Sequence, residues 1–173
     1  IMLCYHDVVL RHRDLNTLQP GEWLNDTCIE FYYEYLEREV IRSDAILLMR
    51  PLMVHMVAQH ADPYQFIEVL PPRLNERKMV FLPINNHTRG DTVGGTHWSL
   101  MVYIRSTNTF YYYDSLNDYN LPMARQTAEK MARVLCTGPQ PPRFLMMKTP
   151  QQENSNDCGV YVISITELLC ARL

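Results

Sequence analysis

The stretch QQENSNDCGVYVISITELL, Gln151 to Leu169, places a cysteine where a polar run meets an apolar one. Asn and Asp residues lead up to Cys158, and apolar residues such as Val160, Ile163 and Leu168 then recur at near-helical spacing. We therefore expect a helix to begin near Cys158. The unpaired N–H groups and the dipole of a helix N-terminus favour a reactive thiolate. An unpaired cysteine more often serves as a small buried hydrophobe, so the local pattern leaves both a nucleophile and a core thiol open.

Composition limits the class of protein. The chain has 173 residues with 47% hydrophobic content, which fits one globular domain over residues 1–173 that buries about two-thirds of its unfolded surface. It begins at Ile1 and stops at Leu173 inside a helical pattern, so we expect both termini to be trimmed. Sixteen basic against nineteen acidic residues give a net charge of −3 without a Lys/Arg cluster suited to phosphates. We therefore expect no nucleic-acid partner.

The spacing of cysteine and histidine argues against disulfides and metals. The five cysteines are an odd number without CxxC spacing, which indicates neither a disulfide framework nor a zinc ribbon. His55 and His60 lie about 140° apart around a helix and so share no metal-binding face. The sequence shows no signal peptide and no apolar run of about 18 residues. We expect a monomeric cytoplasmic or nuclear protein, with no cofactor, metal or membrane association.

Hydrophobic periodicity predicts helices in the first half of the chain. The clearest is WLNDTCIEFYYEYLEREVI (23–41), where one apolar stripe runs from Ile29 to Val40 behind a cap at Asn25 or Asp26. Two shorter helices, each with a proline at a plausible first position, are predicted in PLMVHMVAQH (51–60) and DPYQFIEVL (62–70).

From residue 78 the pattern changes to strands. The segments rich in β-branched and aromatic residues are KMVFLPI (78–84), HWSLMVYI (97–104) and TFYYYDS (109–115), with the polar RSTN (105–108) as the turn of a hairpin. MARQTAEKMARVL (123–135) returns to helical periodicity, and RFLMMKT (143–149) predicts a further strand before the Cys158 helix. Helices, then strands, then helices again indicate an α+β domain.

The predicted hairpin brings a base and an acid together. His97 opens one strand and Asp114 ends the next, so folding back at the turn places them at the same end of the hairpin. A cysteine nucleophile needs such a base and a third group that orients it. The order His, Asp, Gln152, Cys158 favours a nucleophilic site. Sequence spacing does not by itself place Cys158 beside the hairpin.

Each of these residues also has a structural alternative. His97 could be a hydrogen-bonded strand histidine, and Asp114, before Ser115, could be a turn-forming Asx residue. Gln152 could be a solvated loop amide, the usual state of glutamine. Individually the three residues are weak signals, and their joint order carries the hypothesis.

Four motifs carry a family resemblance. WLND (23–26), GGTHWSLMVY (94–103), FYYYDSLN (110–117) and QQENSNDCGVYV (151–162) together resemble the ubiquitin-like-protein protease family, also called the Ulp or sentrin-specific protease family. The resemblance runs from about Tyr5 to the C-terminus. THWS after paired glycines and NSxDCGxY resemble the deneddylase branch more than the desumoylating branch, which typically shows NGSDCG. The implied fold is a papain-like cysteine protease domain with a central, mainly antiparallel sheet flanked by helices.

The resemblance also implies catalytic roles. These are Cys158 as nucleophile, His97 as general base, Asp114 as the group that orients His97, and Gln152 as an oxyanion-hole donor. Gly159 fits a backbone that comes close to a substrate. Glu153 puts a carboxylate next to the oxyanion donor, where a neutral residue would be safer electrostatically. A catalytically weak modifier-binding protein is therefore an alternative.

Four further residues are implied to contact the modifier: Trp23, Asp26, Asn85 and Trp98. A channel walled by two indoles admits only residues without side chains, which fits processing after a Gly-Gly tail. Their structural alternatives are core packing for the tryptophans, a helix cap for Asp26 and an ordinary strand-end residue for Asn85. The loop from His87 to Thr96 is an expected flap over the modifier.

The implied activity is that of a thiol isopeptidase. The expected substrate is the neddylation modifier, as precursor and on conjugates such as cullins. A SUMO-specific protease of the same family is the alternative substrate choice.

Overall fold

The computed structural model describes residues 2–88 and 95–172. The helices and strands follow in chain order as β1 (Leu3–Tyr5), β2 (Val8–Leu10), α1 (His12–Asn16), α2 (Asp26–Tyr35), β3 (Ile46–Leu48), α3 (Pro51–Gln59), β4 (Met79–Asn85), β5 (Trp98–Ile104), β6 (Thr109–Tyr113), α4 (Leu121–Val134), β7 (Arg143–Met146) and α5 (Cys158–Cys170). Residues 89–94, which form most of the expected flap, lie outside the described residues.

Five strands form the central sheet in the order β3-β4-β5-β6-β7. The two long central pairings, β4 with β5 and β5 with β6, are antiparallel. The outer pairings, β3 with β4 and β6 with β7, are parallel. The α+β class and the antiparallel centre of the sheet were predicted, whereas the parallel outer strands were not.

Side chains along the central strands alternate between the two faces of the sheet. Helices cover both of these faces. Val80 and Leu82 of β4 pack with α3 and α4, as do Met101 and Tyr103 of β5. Phe81 faces the opposite way and packs with α2 and α5. The strands are therefore apolar almost throughout, as strands buried on two sides must be.

The helix predicted over residues 23–41 differs from expectation at both ends. Asn25 is the cap, and its side chain accepts a hydrogen bond from the backbone N–H of Cys28 at 3.0 Å. The expectation that Asp26 caps the helix is wrong, since Asp26 is the first helical residue. At the other end Leu36–Val40 is a π-helical turn. Its wider i→i+5 bonding turns Val40 away from the core, and the residue is 41% exposed.

The remaining predicted elements are confirmed, with one change of type. The segment 62–70 forms only a 3-10 turn, Pro63–Phe66, behind a cap at Asp62. The turn of the central hairpin is the 3-10 segment Arg105–Thr107, followed by Asn108 at φ 45°. The β1–β2 hairpin, α1 and β3 were not predicted, because elements of three to five residues are too short to show periodicity.

Candidate active site

The central hairpin joins His97 to Asp114. Leu100 pairs with Tyr113, so the residue before β5 and the residue after β6 meet at one end of the sheet. His97 Nε2 lies 2.6 Å from Asp114 Oδ1. Both residues are buried, at 2% and 3% exposure. The pair is thus a hydrogen bond shielded from water, where its electrostatic strength is greatest.

Asp114 is held as a carboxylate by four donors. Besides His97, these are the Tyr112 hydroxyl at 2.5 Å, the backbone N–H of Asn120 at 3.0 Å and the backbone N–H of Leu116 at 2.8 Å. Burial alone would raise the pKa of Asp114, but these hydrogen bonds outweigh it and lower the pKa. The hydrogen bond from the Leu116 N–H forms an Asx turn. The expectation that Asp114 is a turn-forming residue is therefore also correct, in addition to its contact with His97.

His97 turns its other ring nitrogen away from Asp114. In the described part of the chain, Nδ1 is buried without a hydrogen-bond partner. Burial alone would lower the pKa of His97, but its interactions with Asp114 and Cys158 raise that pKa to about 9. The imidazole therefore favours its protonated form beside the thiol.

Cys158 is the first residue of α5, as the sequence predicts. It is 1% exposed and packs in the same hydrophobic cluster as Trp98. The side chain of Asp157, at the N-cap position, makes no capping hydrogen bond. The first backbone N–H groups of α5 therefore donate no hydrogen bond to the Asp157 side chain. At this helix N-terminus, where Cys158 lies, the helix dipole favours negative charge.

Gln152 is held by hydrogen bonds to Ser115, the residue after Asp114. The Ser115 hydroxyl donates to Gln152 Oε1 at 2.7 Å, and the Gln152 backbone N–H donates to the Ser115 carbonyl at 2.8 Å. Gln152 Nε2 donates to the Asn154 carbonyl at 2.8 Å. An amide nitrogen carries two hydrogens, so one remains for a substrate. Glu153 is exposed, which places its carboxylate in solvent.

A cavity of about 250 Å³ leads to this group of residues. Its lining includes all four residues that the resemblance links to the modifier, Trp23, Asp26, Asn85 and Trp98, together with His97 and Cys158. Trp98 is 7% exposed, so it belongs to the core and to the cavity wall at once. Burial raises the pKa of Asp26, partly offset by backbone hydrogen bonds from its own residue and Thr27.

Both indoles are tied to the backbone around the cavity. Trp98 Nε1 donates to the Leu24 carbonyl at 2.9 Å, and Trp23 Nε1 donates to the Ser155 carbonyl at 2.8 Å. Trp98 is buried, so its indole N–H requires such a partner, whereas Trp23 is 45% exposed. The two bonds join these indoles of the cavity lining to the segment before α2 and to the loop before α5.

At two positions, neighbouring side chains come so close to the backbone that only glycine fits. A Cβ on Gly159 would lie 2.7 Å from the Leu24 Cβ. The expectation that Gly159 makes room for a substrate therefore needs correction, since the close neighbour is this core leucine. Gly95 has φ +98°, and a Cβ there would overlap the Asn85 side chain. Glycine alone tolerates both constraints at Gly95.

Two asparagines of the site were not singled out from the sequence. Asn120 is 1% exposed, and its Nδ2 donates to the carbonyls of His97 and Ile84 and to Ser99 Oγ at 3.1–3.2 Å. Asn86 Oδ1 accepts from the backbone N–H groups of Thr96 and His97 at 2.8 and 3.2 Å. Asn86 directly follows β4, and Asn120 directly precedes α4; asparagine is common at the ends of strands and helices, and that position was the available signal.

Within residues 2–88 and 95–172, no group of three or more His, Cys, Asp and Glu side chains could hold a metal ion. Across the same residues, no helix combines the length and the apolar character needed to cross a membrane.

Comparison with known proteins identifies the class to which this fold and site belong. Residues 22–173 match the model of the Ulp1 protease family, C-terminal catalytic domain. The chain belongs to this family of cysteine peptidases, as the sequence motifs predicted, and it is an enzyme of the class that processes ubiquitin-like modifiers.

Named relatives carry the comparison further. The chain is 38% identical to sentrin-specific protease 8 of Mus musculus, over 100% of this chain and 79% of that protein. It is 33% identical to NEDD8-specific protease 1 of Arabidopsis thaliana, over 98% and 75% of the two chains. Among solved structures, the C-terminal Ulp1 protease domain in complex with SMT3, the yeast ortholog of SUMO, superposes with a TM-score of 0.70 at 26% identity, covering 92% of this chain and 71% of that one.

Proposed function

We propose that this protein is a thiol isopeptidase that cleaves after the C-terminal Gly-Gly of a ubiquitin-like modifier, with the neddylation modifier as its substrate. The observation that carries the proposal is the position of Cys158 and His97 in the wall of a narrow cavity that also has Trp23 and Trp98 in its wall. A passage walled by two indoles favours a tail that carries no side chains. The substrates are the precursor and conjugates such as cullins, in the cytoplasm or nucleus.

The choice of modifier rests on sequence. Relatives named as NEDD8-specific proteases in Arabidopsis thaliana and Schizosaccharomyces pombe are 33% and 36% identical to the chain. A ubiquitin-like-specific protease of Saccharomyces cerevisiae is 26% identical over 87% of the chain. The higher identity to the NEDD8-specific proteins supports the deneddylase assignment. SUMO is the second candidate, because the relative at 38% identity is named a sentrin-specific protease and the superposed Ulp1 domain was solved with a SUMO ortholog.

Each catalytic residue has a role in the proposed reaction. His97 takes the thiol proton, and the Cys158 sulfur attacks the carbonyl carbon of the terminal glycine. The negative charge on the carbonyl oxygen is stabilised by Gln152 Nε2 and the Cys158 backbone N–H. His97 then gives its proton to the leaving amine. Water, deprotonated by His97, hydrolyses the thioester and restores the thiol.

Asp114 acts through His97 in this scheme. It accepts from Nε2 at 2.6 Å, which leaves Nδ1 as the nitrogen that exchanges a proton with sulfur. The carboxylate thereby selects the tautomer and stabilises the imidazolium. The exposed position of Glu153 removes the electrostatic objection to an oxyanion at Gln152, and so weakens the alternative of a catalytically weak binder.

The test uses the neddylation modifier with a C-terminal fluorogenic amide. We expect release of the fluorophore by the intact protein and at least about a 10³-fold loss in Cys158→Ala. Cys136→Ala is the matched control, because Cys136 is an exposed cysteine outside the cavity, and it should retain full activity. Absence of turnover, or undiminished turnover in Cys158→Ala, contradicts the proposal.

The same assay with the SUMO amide decides the modifier. A higher kcat/KM for the SUMO substrate would reject the deneddylase assignment and keep the chemistry. A modifier carrying a C-terminal vinyl sulfone tests the binder alternative, since measurable binding without a covalent adduct on Cys158 would support a non-catalytic protein.

A further inference from the structure

Tyr119 is an aromatic residue at the site for which the proposed chemistry provides no role. Its ring contacts the His97 ring edge to face, with centroids 5.7 Å apart and an interplanar angle of 80°. Tyr119 is 58% exposed, whereas His97 is 2% exposed. The tyrosine ring therefore forms part of the cover between the imidazole and solvent. It is absent from the lining of the cavity that holds Cys158, so it approaches His97 from outside that cavity.

A turn and backbone hydrogen bonds fix the position of the chain on both sides of Tyr119. Asn117 and Asp118 have φ of 46° and 57°, a left-handed conformation that Asn and Asp adopt more readily than other side chains. The backbone N–H of Tyr119 donates to the Leu116 carbonyl at 3.0 Å. The next residue, Asn120, is buried and donates through its backbone to Asp114 Oδ2 at 3.0 Å. Tyr119 thus lies between the turn at Asn117 and Asp118 and the buried residue Asn120.

We propose that Tyr119 is a positioning residue, whose ring covers His97, holds the imidazole between Asp114 and Cys158, and stabilises its protonated form. The face of an aromatic ring attracts a cation that lies within about 6 Å of the ring centroid, through the ring quadrupole. Aromatic pairs at this separation also restrict each other's orientation. The inference rests on the proposed catalytic role of His97.

Two substitutions separate the ring from the hydroxyl. Tyr119→Phe keeps the aromatic ring, and Tyr119→Leu keeps an apolar cover without one. Tyr64→Leu is the matched control, because Tyr64 is 45% exposed and packs on Arg133 at the end of α4. Thermal unfolding of all three variants checks that each one folds.

The first measurement needs no substrate. Nuclear magnetic resonance titration of protein labelled with ¹⁵N-histidine reports the protonation of His97 directly. Besides Tyr119 itself, the titratable groups of the described residues that face His97 or line its cavity are Asp114, Cys158 and Asp26, and these three are identical in every variant. We expect the pKa of His97 to fall by about 0.5 in Tyr119→Leu and to stay unchanged in Tyr119→Phe and Tyr64→Leu.

The second measurement is turnover of the modifier amide across pH. Tyr119→Leu should lower kcat about two- to fivefold without changing KM, and its basic limb should move to lower pH. Tyr119→Phe should match the unsubstituted protein. The inference is rejected if Tyr119→Leu leaves the His97 titration unchanged, or if Tyr119→Phe shifts it as far. Absence of turnover in every protein would count against the proposed function, while the titration alone would still decide the role of Tyr119.

Discussion

The hydroxyl of Tyr112 offers a sharp test of how the site is held. It donates to Asp114 Oδ2 at 2.5 Å, and the tyrosine is fully buried at 0% exposure. Tyr112→Phe removes this one donor and leaves the ring, its neighbours and the three other donors to Asp114 in place. A hydrogen bond to a charged group contributes about 1.5–3 kcal/mol. Because three donors remain, we expect the free energy of unfolding to fall by about 2 kcal/mol, which lowers Tm by about 4–8 °C.

The same strand pair contains a matched control. Tyr103 is also fully buried, at 0% exposure, and its hydroxyl donates to Asn108 Oδ1 at 3.0 Å. That bond is longer, joins neutral groups and lies at the opposite end of the hairpin. Tyr103→Phe should therefore lower the free energy of unfolding by about 1 kcal/mol and leave turnover unchanged. Urea unfolding of both variants gives the comparison.

Turnover separates a role at the site from ordinary stability. In Tyr112→Phe the carboxylate keeps its bond to His97 but loses orientation, so kcat for the modifier amide should fall about tenfold, near 1.4 kcal/mol. KM should hold, because Tyr112 lies outside the cavity lining. The pKa of Asp114 should rise, since the Tyr112 hydroxyl contributes to lowering it. The Asp114 carboxylate stabilises the fold above its pKa in the unfolded chain, and this stabilisation is lost on acidification. In Tyr112→Phe the loss should therefore begin at a higher pH than in the unsubstituted protein. Equal turnover in the two variants would refute the reasoning.

Three other predictions concern separate features. Gly159→Ala should lower stability by about 1–3 kcal/mol, because the added Cβ would meet the Leu24 Cβ at 2.7 Å; Leu24→Gly, which removes that atom, should recover part of that loss in a double-mutant cycle measured by urea unfolding. Asn120→Ala should lower stability by about 2–3 kcal/mol, since three buried acceptors lose one donor group, and additivity with Tyr112→Phe would argue against a shared network. Stability should fall as pH rises from 6.5 to about 9, because the pKa of His97 is raised across that interval, and His97→Gln should flatten the dependence.

The sequence was sufficient for the antiparallel centre of the sheet and for bringing His97 and Asp114 to the same end of its hairpin. Segments rich in β-branched and aromatic residues identify the strands. The short polar turn between β5 and β6 indicates that these two strands pair with each other. Once β5 and β6 form a hairpin, His97 and Asp114 can only lie at its open end. Local pattern therefore predicts this half of the site without any knowledge of the tertiary fold.

The other half of the site depends on contacts that local pattern does not contain. Tyr112, Asn86 and Asn120 look ordinary in sequence, because a strand tyrosine and an asparagine at the end of a strand or the start of a helix are common. Their importance comes from the buried acceptors that they meet after folding. Cys158 shows the same limit, since its helix was predictable and its partner was not. Packing of α5 against β5 brings it to His97, and sequence periodicity carries no information on which strand a helix covers.

Two residues far away in sequence, Trp23 and Leu24, contact the segments on both sides of the Cys158–His97 pair. The Leu24 carbonyl holds the indole of Trp98, next to His97, and the Leu24 side chain fills the space beside Gly159, next to Cys158. Trp23 binds the loop before α5 through its indole N–H. This dipeptide therefore contacts both elements that carry the reacting groups. The WLND motif, first interpreted as a helix start and a modifier contact, thus also contacts the elements that carry the proposed nucleophile and base, so we expect substitutions there to alter kcat as well as KM.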